Sequence, residues 1–318
     1  MSLPAALKAR LKLPLIAAPM FLVSGPALVK AACRAGVIGS FPTANCRTVE
    51  ELDAWLADIK DATAGAAPFC PNLIVHRSNP GVADDLAAVL RAKAEIVITS
   101  VGSPEPVMKP LKDAGCLVLA DVASVRHAQK AVAAGVDGLV LLTAGAGGQT
   151  GWVNPFAFVR AIRQFWDGVV VMAGGMSDGH AIAAAETLGC DLAYMGTKFI
   201  ATRESLAKDE YKQMLVKSRL DDVLLTRAFT GLETNMLRPS IAAAGLDPDN
   251  LPQRGAIDIA KDINAAERDK PNAKRWKDIW SAGHSVSGVA DIPSVAELVE
   301  RTGAEYAAAR STREHLSS

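Results

Sequence analysis

Apolar residues in the first two hundred positions fall into eight short runs, and each run predicts a β-strand. The runs lie at residues 13–20, 36–41, 69–75, 96–101, 116–122, 138–145, 169–175 and 192–199. Several are continuous and rich in β-branched residues, such as IVIT and VVVM, which is typical of strands buried on both faces of a parallel sheet. Between them, segments such as 49–60, 83–93, 125–134, 155–165 and 180–188 have the period of amphipathic helices.

Strand and helix alternate eight times, which predicts the α/β class. A closed (β/α)8 barrel, the TIM barrel, accommodates eight buried strands, although counting alone leaves a doubly wound open sheet as an alternative. The barrel is favoured because no early strand is followed by the G-x-G-x-x-G turn of a dinucleotide-binding sheet. We expect residues 1–202 to form this barrel.

The pattern changes after Thr202, where long polar side chains become frequent. Helical runs at 205–218 and 256–266 predict a smaller C-terminal helical domain, an appendage spanning residues 203–282. Residues 283–318 are expected to return to the barrel as a last amphipathic helix, which begins with the Ser294-x-x-Glu297 capping pattern.

Composition and charge narrow the function classes. The 318 residues carry 34 Lys and Arg against 34 Asp and Glu, and half are hydrophobic. A disordered chain is therefore excluded, and there is no basic excess for binding nucleic acid. The longest apolar runs are too short to cross a bilayer, and no signal peptide is recognisable, so we expect a soluble, cytoplasmic protein without membrane partners. The five cysteines occur singly, and no His and Glu pair has metalloenzyme spacing, so neither disulfides nor a metal site is predicted.

Two glycine-containing turns suit an anion. The seventh predicted strand runs into Gly174-Gly175 and the eighth into Gly196-Thr197. Phosphate groups commonly bind after strands 7 and 8 of such barrels, where glycines let backbone N–H groups approach and the following helix starts offer free N–H groups. The Thr197 hydroxyl adds a donor. The alternative is that both glycines merely form a tight turn.

A third glycine-rich loop follows the sixth strand. Gly145, Gly147, Gly148 and Gly151 leave Gln149 and Trp152 as its projecting side chains. Such a loop is either the floor of a ligand site or a flexible lid. Met20 and Asn72, at the ends of the first and third strands, are candidates to contact an aromatic ring and its polar edge.

These residues resemble a known family. The motifs are Ala18-Pro19-Met20, Pro71-Asn72-Leu73, Val125-Arg126-His127-Ala128, Ala144-Gly145-Ala146-Gly147-Gly148, Ala173-Gly174-Gly175, Met195-Gly196-Thr197-Lys198-Phe199 and Trp280-Ser281-Ala282-Gly283. In this order they are similar to the motifs of nitronate monooxygenases, formerly called 2-nitropropane dioxygenases, from about residue 12 to residue 300.

The resemblance implies an FMN-dependent barrel enzyme whose site is roofed by the smaller domain. It implies that the FMN phosphate binds at Gly174, Gly175, Gly196 and Thr197, and that the flavin ring lies near Ala18, Met20 and Asn72. Gly147 and Gly148 are expected cofactor contacts as well.

The sequence departs from the family at two positions. Gln149 stands where members commonly have a His that acts as base on neutral nitroalkanes, and a carboxamide takes up no proton near neutral pH. Asp121 stands where many members have a Lys beside the flavin. A carboxylate opposes the anionic reduced flavin unless it faces ribityl hydroxyls or is protonated.

Histidines near the expected site are the remaining candidates. His76 follows the third strand and is the best substitute base, with a turn-capping role as the alternative. His284 is a candidate substrate contact together with Trp152, although a role in fixing the backbone is favoured for it.

Three functions follow from these residues. The first is oxidation of pre-formed nitronates by O₂ to a carbonyl compound and nitrite, with poor turnover of neutral nitroalkanes. The second is an NAD(P)H-dependent flavin reductase acting on a quinone or an enoyl thioester, and the third is a flavin-binding protein without turnover. The oligomeric state is left open, with a homodimer as one option.

Overall fold

The parallel strands close into a barrel, as predicted. In the computed structural model, which describes residues 3–252 and 279–316, eight strands are hydrogen-bonded in the order β1-β2-β3-β4-β5-β6-β8-β9, and β9 pairs with β1. Barrel strands are β1 (Leu15–Ala17), β2 (Ile38–Pro42), β3 (Phe69–Ile74), β4 (Ile96–Ser100), β5 (Leu117–Val122), β6 (Gly138–Leu142), β8 (Val169–Ala173) and β9 (Leu192–Met195). The closed order excludes the open sheet.

The described helices include those that surround the barrel. They are α1 (Ala5–Lys8), α2 (Pro26–Ala35), α3 (Val49–Ala62), α4 (Val82–Ala92), α5 (Glu105–Asp113), α6 (Val125–Ala133), α7 (Pro155–Ile162), α8 (Gly179–Leu188), α9 (Thr197–Ile200), α10 (Asp209–Lys217), α11 (Arg238–Ala243) and α12 (Val295–Leu316). Three short 3-10 helices lie at Thr43–Asn45, Leu220–Asp222 and His284–Gly288.

The last helix completes the ring around the barrel. Helix α12 packs between α2 and α8, the place of the eighth outer helix. Its start has the predicted reciprocal cap, since the Ser294 hydroxyl accepts from the Glu297 N–H at 3.2 Å and the Glu297 carboxylate accepts from the Ser294 N–H at 2.7 Å. The barrel is thus closed on its outside by the C-terminal segment.

The segment predicted as helical also contains strands. β10 (Val223–Thr226) and β11 (Thr234–Leu237) form an antiparallel pair, and β11 also pairs with β7 (Gly148–Gln149). A helical prediction misses them because β11 lies between β10 and β7, and β7 is far away in sequence, in the glycine loop. Helix α10 falls within the predicted run 205–218, while the predicted helix 256–266 lies outside the described residues.

Buried side chains form two layers, one inside the barrel and one outside it. One cluster fills the interior with residues such as Ile16, Ile98 and Val171, and a larger cluster lies between the strands and the outer helices. Among the described helices, none combines the length and the apolar character that a bilayer span requires. Four of the five cysteines are buried and none is in a disulfide.

Candidate functional site

A cavity of about 390 Å³ opens at the carboxyl ends of the barrel strands. This is the end at which (β/α)8 enzymes carry their sites. Eleven residues expected at the site line this one cavity: Ala18, Met20, Asn72, Asp121, Gly147, Gly148, Gln149, Gly174, Gly175, Gly196 and Thr197.

The turn after β8 requires glycine. Gly174 has φ +113° and Gly175 has φ +72°, a backbone region that other residues enter only at a cost. A Cβ atom at Gly174 would lie 2.4 Å from Thr143 Oγ1 and 3.0 Å from the Ala146 backbone nitrogen. The turn is therefore packed against the loop after β6 as tightly as a glycine allows.

Backbone amides on the cavity wall are available to an anion. The N–H groups of Gly174, Gly175 and Gly196 donate no hydrogen bond to any residue that the structure describes. Thr197 is buried, and its Oγ1 accepts from the Gly283 N–H at 2.9 Å, so its own proton remains to be donated. These groups form a set of neutral donors on the cavity wall.

Two N–H groups at the start of helix α8 are already bonded within the protein, contrary to the expectation that they stay free for an anion. The Asp178 carboxylate accepts from the Ala181 N–H at 2.9 Å, and the Glu305 carboxylate of α12 accepts from the Gly179 N–H at 3.0 Å. Two carboxylates therefore already satisfy two N–H groups at the helix N-terminus. The donors after β8 are those of Gly174 and Gly175, five and four residues before the first helical residue.

The glycine loop after β6 is anchored on both sides. The Asn235 side chain donates to the Ala146 carbonyl at 2.8 Å, and the His284 N–H donates to the Gly145 carbonyl at 2.9 Å. The backbone of Gln149 pairs with Thr234 in the small sheet. Of the two alternatives for this loop, these contacts favour a fixed wall of the cavity over a flexible lid. The carboxamide of Gln149 forms no hydrogen bond with the described residues.

Polar atoms at the floor of the cavity lack partners. Asn72 Oδ1 accepts from the Ser100 hydroxyl at 3.1 Å, which directs the amide. Within the described part of the chain, Asn72 Nδ2, Asp121 Oδ1 and the Tyr194 hydroxyl are buried without any hydrogen-bond partner. Leaving such atoms unpaired costs roughly 1–3 kcal/mol each, so this floor fits a ligand that supplies both donors and acceptors.

Burial changes the ionisation of this floor. It raises the pKa of Asp121 to about 7 and raises the pKa of Tyr194 well above its ordinary value. The pKa of the Cys70 thiol beneath them is likewise well above its ordinary value because of burial. Tyr194 and Cys70 are therefore neutral, and Asp121 changes its charge near neutral pH.

A roof of aromatic residues covers the cavity. The rings of Tyr211 and Trp280 stack with centroids 5.0 Å apart and an interplanar angle of 10°. The Tyr211 hydroxyl donates to the Ser281 carbonyl at 2.5 Å. The sequence analysis assigned no role to Tyr211 or Tyr194, and it named Trp280 only as part of a family motif. The signal for Tyr194 was available, since it lies two residues before Gly196 and alternation along a strand points both toward the interior.

Three of the expected site residues lie outside the cavity lining. Trp152 is 73 % exposed, and the backbone N–H of His284 donates to Gly145 while its ring packs against that glycine. His76 Nδ1 lies 2.8 Å from the Ser78 hydroxyl and accepts from the Ser78 N–H at 3.3 Å. The structure therefore does not bring these three together with the other eleven.

Replacing His76 with alanine is expected to leave kcat/KM within about threefold of the wild type, because the ring holds a turn outside the cavity. Loss of one partly exposed hydrogen bond costs roughly 1 kcal/mol of stability. Steady-state assays and thermal unfolding of His76→Ala measure both quantities. A drop of a hundredfold or more with an unchanged fold would show that His76 does reach the reacting groups.

Known proteins are similar to this chain. The family model for nitronate monooxygenase matches residues 79–304. A nitronate monooxygenase from Paraburkholderia phytofirmans is 30% identical, and the match covers 81% of this chain and 83% of that protein. The (3aS,4S,5R,7aS)-5-hydroxy-7a-methyl-1-oxo-octahydro-1H-indene-4-carboxyl-CoA dehydrogenase of Rhodococcus jostii is 26% identical, over 87% of this chain and 76% of that protein. The crystal structure of a nitroalkane oxidase from Streptomyces ansochromogenes superimposes with a TM-score of 0.81 at 26% identity, covering 97% and 99% of the two chains.

Proposed function

The chain belongs to the nitronate monooxygenase family, and on that premise we propose that it binds FMN and oxidises nitronates with O₂ to a carbonyl compound and nitrite. Family membership makes the chain a flavin-dependent oxidoreductase. We propose in addition that its flavin is FMN and that its substrate is a nitronate. The observation that carries the proposal is the set of free amides and glycines at the ends of β8 and β9.

The phosphate of FMN is the anion we assign to those amides. The N–H groups of Gly174, Gly175 and Gly196 and the hydroxyl of Thr197 are four neutral donors on one wall. Backbone donors suit a phosphate because they are fixed before the ligand arrives and pay no side-chain entropy.

The rest of the flavin is assigned to the floor and the first strand. Ala18 and Met20 offer an apolar surface to a ring, and Asn72, Asp121 and Tyr194 offer the unpartnered polar atoms that ring edges and ribityl hydroxyls satisfy. Bound there, the flavin supplies the one-electron and oxygen chemistry of the reaction. The aromatic roof keeps water from the reacting groups.

Gln149 is assigned to the nitro group. Its backbone is fixed in β7, and its carboxamide N–H donates to an oxygen of an anionic nitronate, whose charge is spread over the two nitro oxygens. It accepts no proton, so the enzyme depends on a substrate that has already lost its carbon-bound proton. This explains why pre-formed nitronates, and not neutral nitroalkanes, are the proposed substrates.

The purified protein is expected to be yellow, and to consume O₂ and release nitrite with ethyl nitronate much faster than with neutral nitroethane. Absorption spectroscopy identifies the flavin, and its release by heat followed by chromatography distinguishes FMN from other flavins. Steady-state assays with the two substrate forms give kcat/KM for each. Equal rates with both forms would contradict the role given to Gln149, and absence of nitrite would contradict the reaction.

A reductase is the second candidate, and the similarity to a dehydrogenase of a CoA thioester favours it. In that case a nicotinamide nucleotide reduces the flavin directly. Anaerobic addition of NADH or NADPH then bleaches the flavin within the time of one catalytic turnover. The nitronate oxidation we propose requires neither nucleotide.

A further inference from the structure

Asp121 is the one carboxyl group among the described residues that line the cavity. It lies near the end of β5, and its Oδ1 is buried without a hydrogen-bond partner among the described residues. The proposed function places this group in contact with the flavin but assigns no proton transfer to it. A buried carboxyl oxygen that faces a ligand site without a donor is costly when it is ionised, so the charge state of Asp121 has to depend on what lies beside it.

The side chains next to Asp121 at the cavity floor are uncharged. Tyr194 faces it from β9 and Cys70 from β3, and burial keeps both neutral. The neighbouring residue Val140 of β6 is apolar. On the roof side, the described residues lining the cavity include one cation, Lys208, and the buried phenol of Tyr211. Asp121 is thus the group at this floor that titrates near neutral pH, because burial raises its pKa to about 7.

We propose that Asp121 takes up a proton from water when the bound flavin is reduced, so that this carboxyl group couples the reduction potential of the flavin to pH. The inference rests on the proposed binding of FMN and is independent of the nitronate substrate. Reduction adds negative charge to the cavity, and a second negative charge nearby favours the neutral form of a carboxyl group. For each flavin, two electrons from the reductant and one proton from the solvent would enter the flavin, which then carries one negative charge, and a second proton from the solvent would form an O–H bond on Asp121.

The coupling has a defined pH range. Well below neutral pH, Asp121 is already protonated with oxidised flavin, and its charge does not affect reduction. As the pH rises through the pKa, the oxidised protein loses this proton first while the reduced protein keeps it. The extra proton changes the reduction equilibrium tenfold per pH unit over that range, which is about 30 mV for a two-electron couple.

The test compares reduction potentials of the FMN-loaded protein from pH 5.5 to pH 9, measured by anaerobic dithionite titration against indicator dyes. Asp121→Asn is expected to match the wild type at pH 5.5 and to be easier to reduce at pH 8.5, by at least tenfold in the equilibrium constant. Trp166→Phe is the matched control, because Trp166 Nε1 is also buried without a partner in the described structure but lies outside the cavity. That variant is expected to follow the wild type at every pH.

The outcomes separate this inference from the proposed function. If the reduction potentials of the wild type and Asp121→Asn coincide or differ by the same amount at all pH values, the coupling is overturned. A merely structural role of Asp121 shifts the potential equally throughout. Asp121→Ser provides a second neutral variant if Asp121→Asn folds poorly, and a wild-type curve with the same pH dependence as free FMN would by itself overturn the proposal. A flavin-loaded protein that is inert toward nitronates overturns the proposed reaction alone, and a protein that binds no flavin overturns both.

Discussion

Gly174→Ala is expected to purify without flavin, with an affinity for FMN reduced at least a hundredfold. The added Cβ would lie 2.4 Å from Thr143 Oγ1, a hydroxyl that donates to the Ala173 carbonyl at 2.6 Å. The turn has to move, and with it the N–H groups assigned to the phosphate. The φ of +113° adds strain of roughly 1–3 kcal/mol for a residue with a side chain. Fluorescence titration of the purified variant with FMN measures the loss.

Gly65→Ala is the matched control for this variant. Gly65 also has a positive φ, +76°, but a Cβ there meets nothing within 4 Å, and the residue lies away from the cavity. It should lose only the strain energy, seen as a lower thermal midpoint, and bind FMN normally. Titration with riboflavin, which lacks the phosphate, isolates the role of the turn: the wild type should prefer FMN strongly, and Gly174→Ala should lose that preference. FMN binding by Gly174→Ala as tight as in the wild type would contradict the assigned phosphate site.

Gln149→His is expected to raise kcat/KM for neutral nitroethane about a hundredfold while changing the rate with ethyl nitronate only a few-fold. An imidazole accepts the carbon-bound proton that a carboxamide cannot take, and general-base catalysis commonly contributes 10²–10⁴-fold. The backbone at this position is held by pairing with Thr234, so the new ring projects from the same place. The gain should increase with pH through about 6.5, the ordinary pKa of histidine, because only the neutral ring is a base.

Gln149→Ala is the control that separates the base from the hydrogen bond. It removes the donor without adding a base, so nitronate turnover should fall about tenfold and nitroethane turnover should stay low. Steady-state kinetics of the three proteins, with nitroethane and its nitronate from pH 5.5 to pH 8.5, measure these effects. A Gln149→His variant no better than the wild type on nitroethane would mean that this side chain does not face the substrate carbon.

The barrel and the glycine turn after β8 could be predicted because their signals are local. Each strand is a short apolar run, and the turn at Gly174 is marked by two adjacent glycines whose positive φ values the fold uses. The roles assigned to the site residues remain predictions, although the structure brings eleven of them to one cavity.

The small sheet and the capping of helix α8 could not be predicted because they depend on distant parts of the chain. Strand β11 pairs with two residues of the glycine loop. No periodicity within Thr234–Leu237 indicates that pairing partner. Likewise, the N-terminus of α8 receives Glu305 from α12, which is 126 positions later. A pattern that is read along the sequence carries no information on such contacts.

The loops after β6 and β9, which line the cavity, are held in place by residues much later in the chain. Gly283 donates to Thr197 from 86 positions later, and the next residue, His284, donates to Gly145. During synthesis, Gly283 and His284 are made after all eight barrel strands. A nascent chain that ends before Gly283 therefore has these two loops without their supports, and FMN is expected to bind at the proposed site only after these residues have been made.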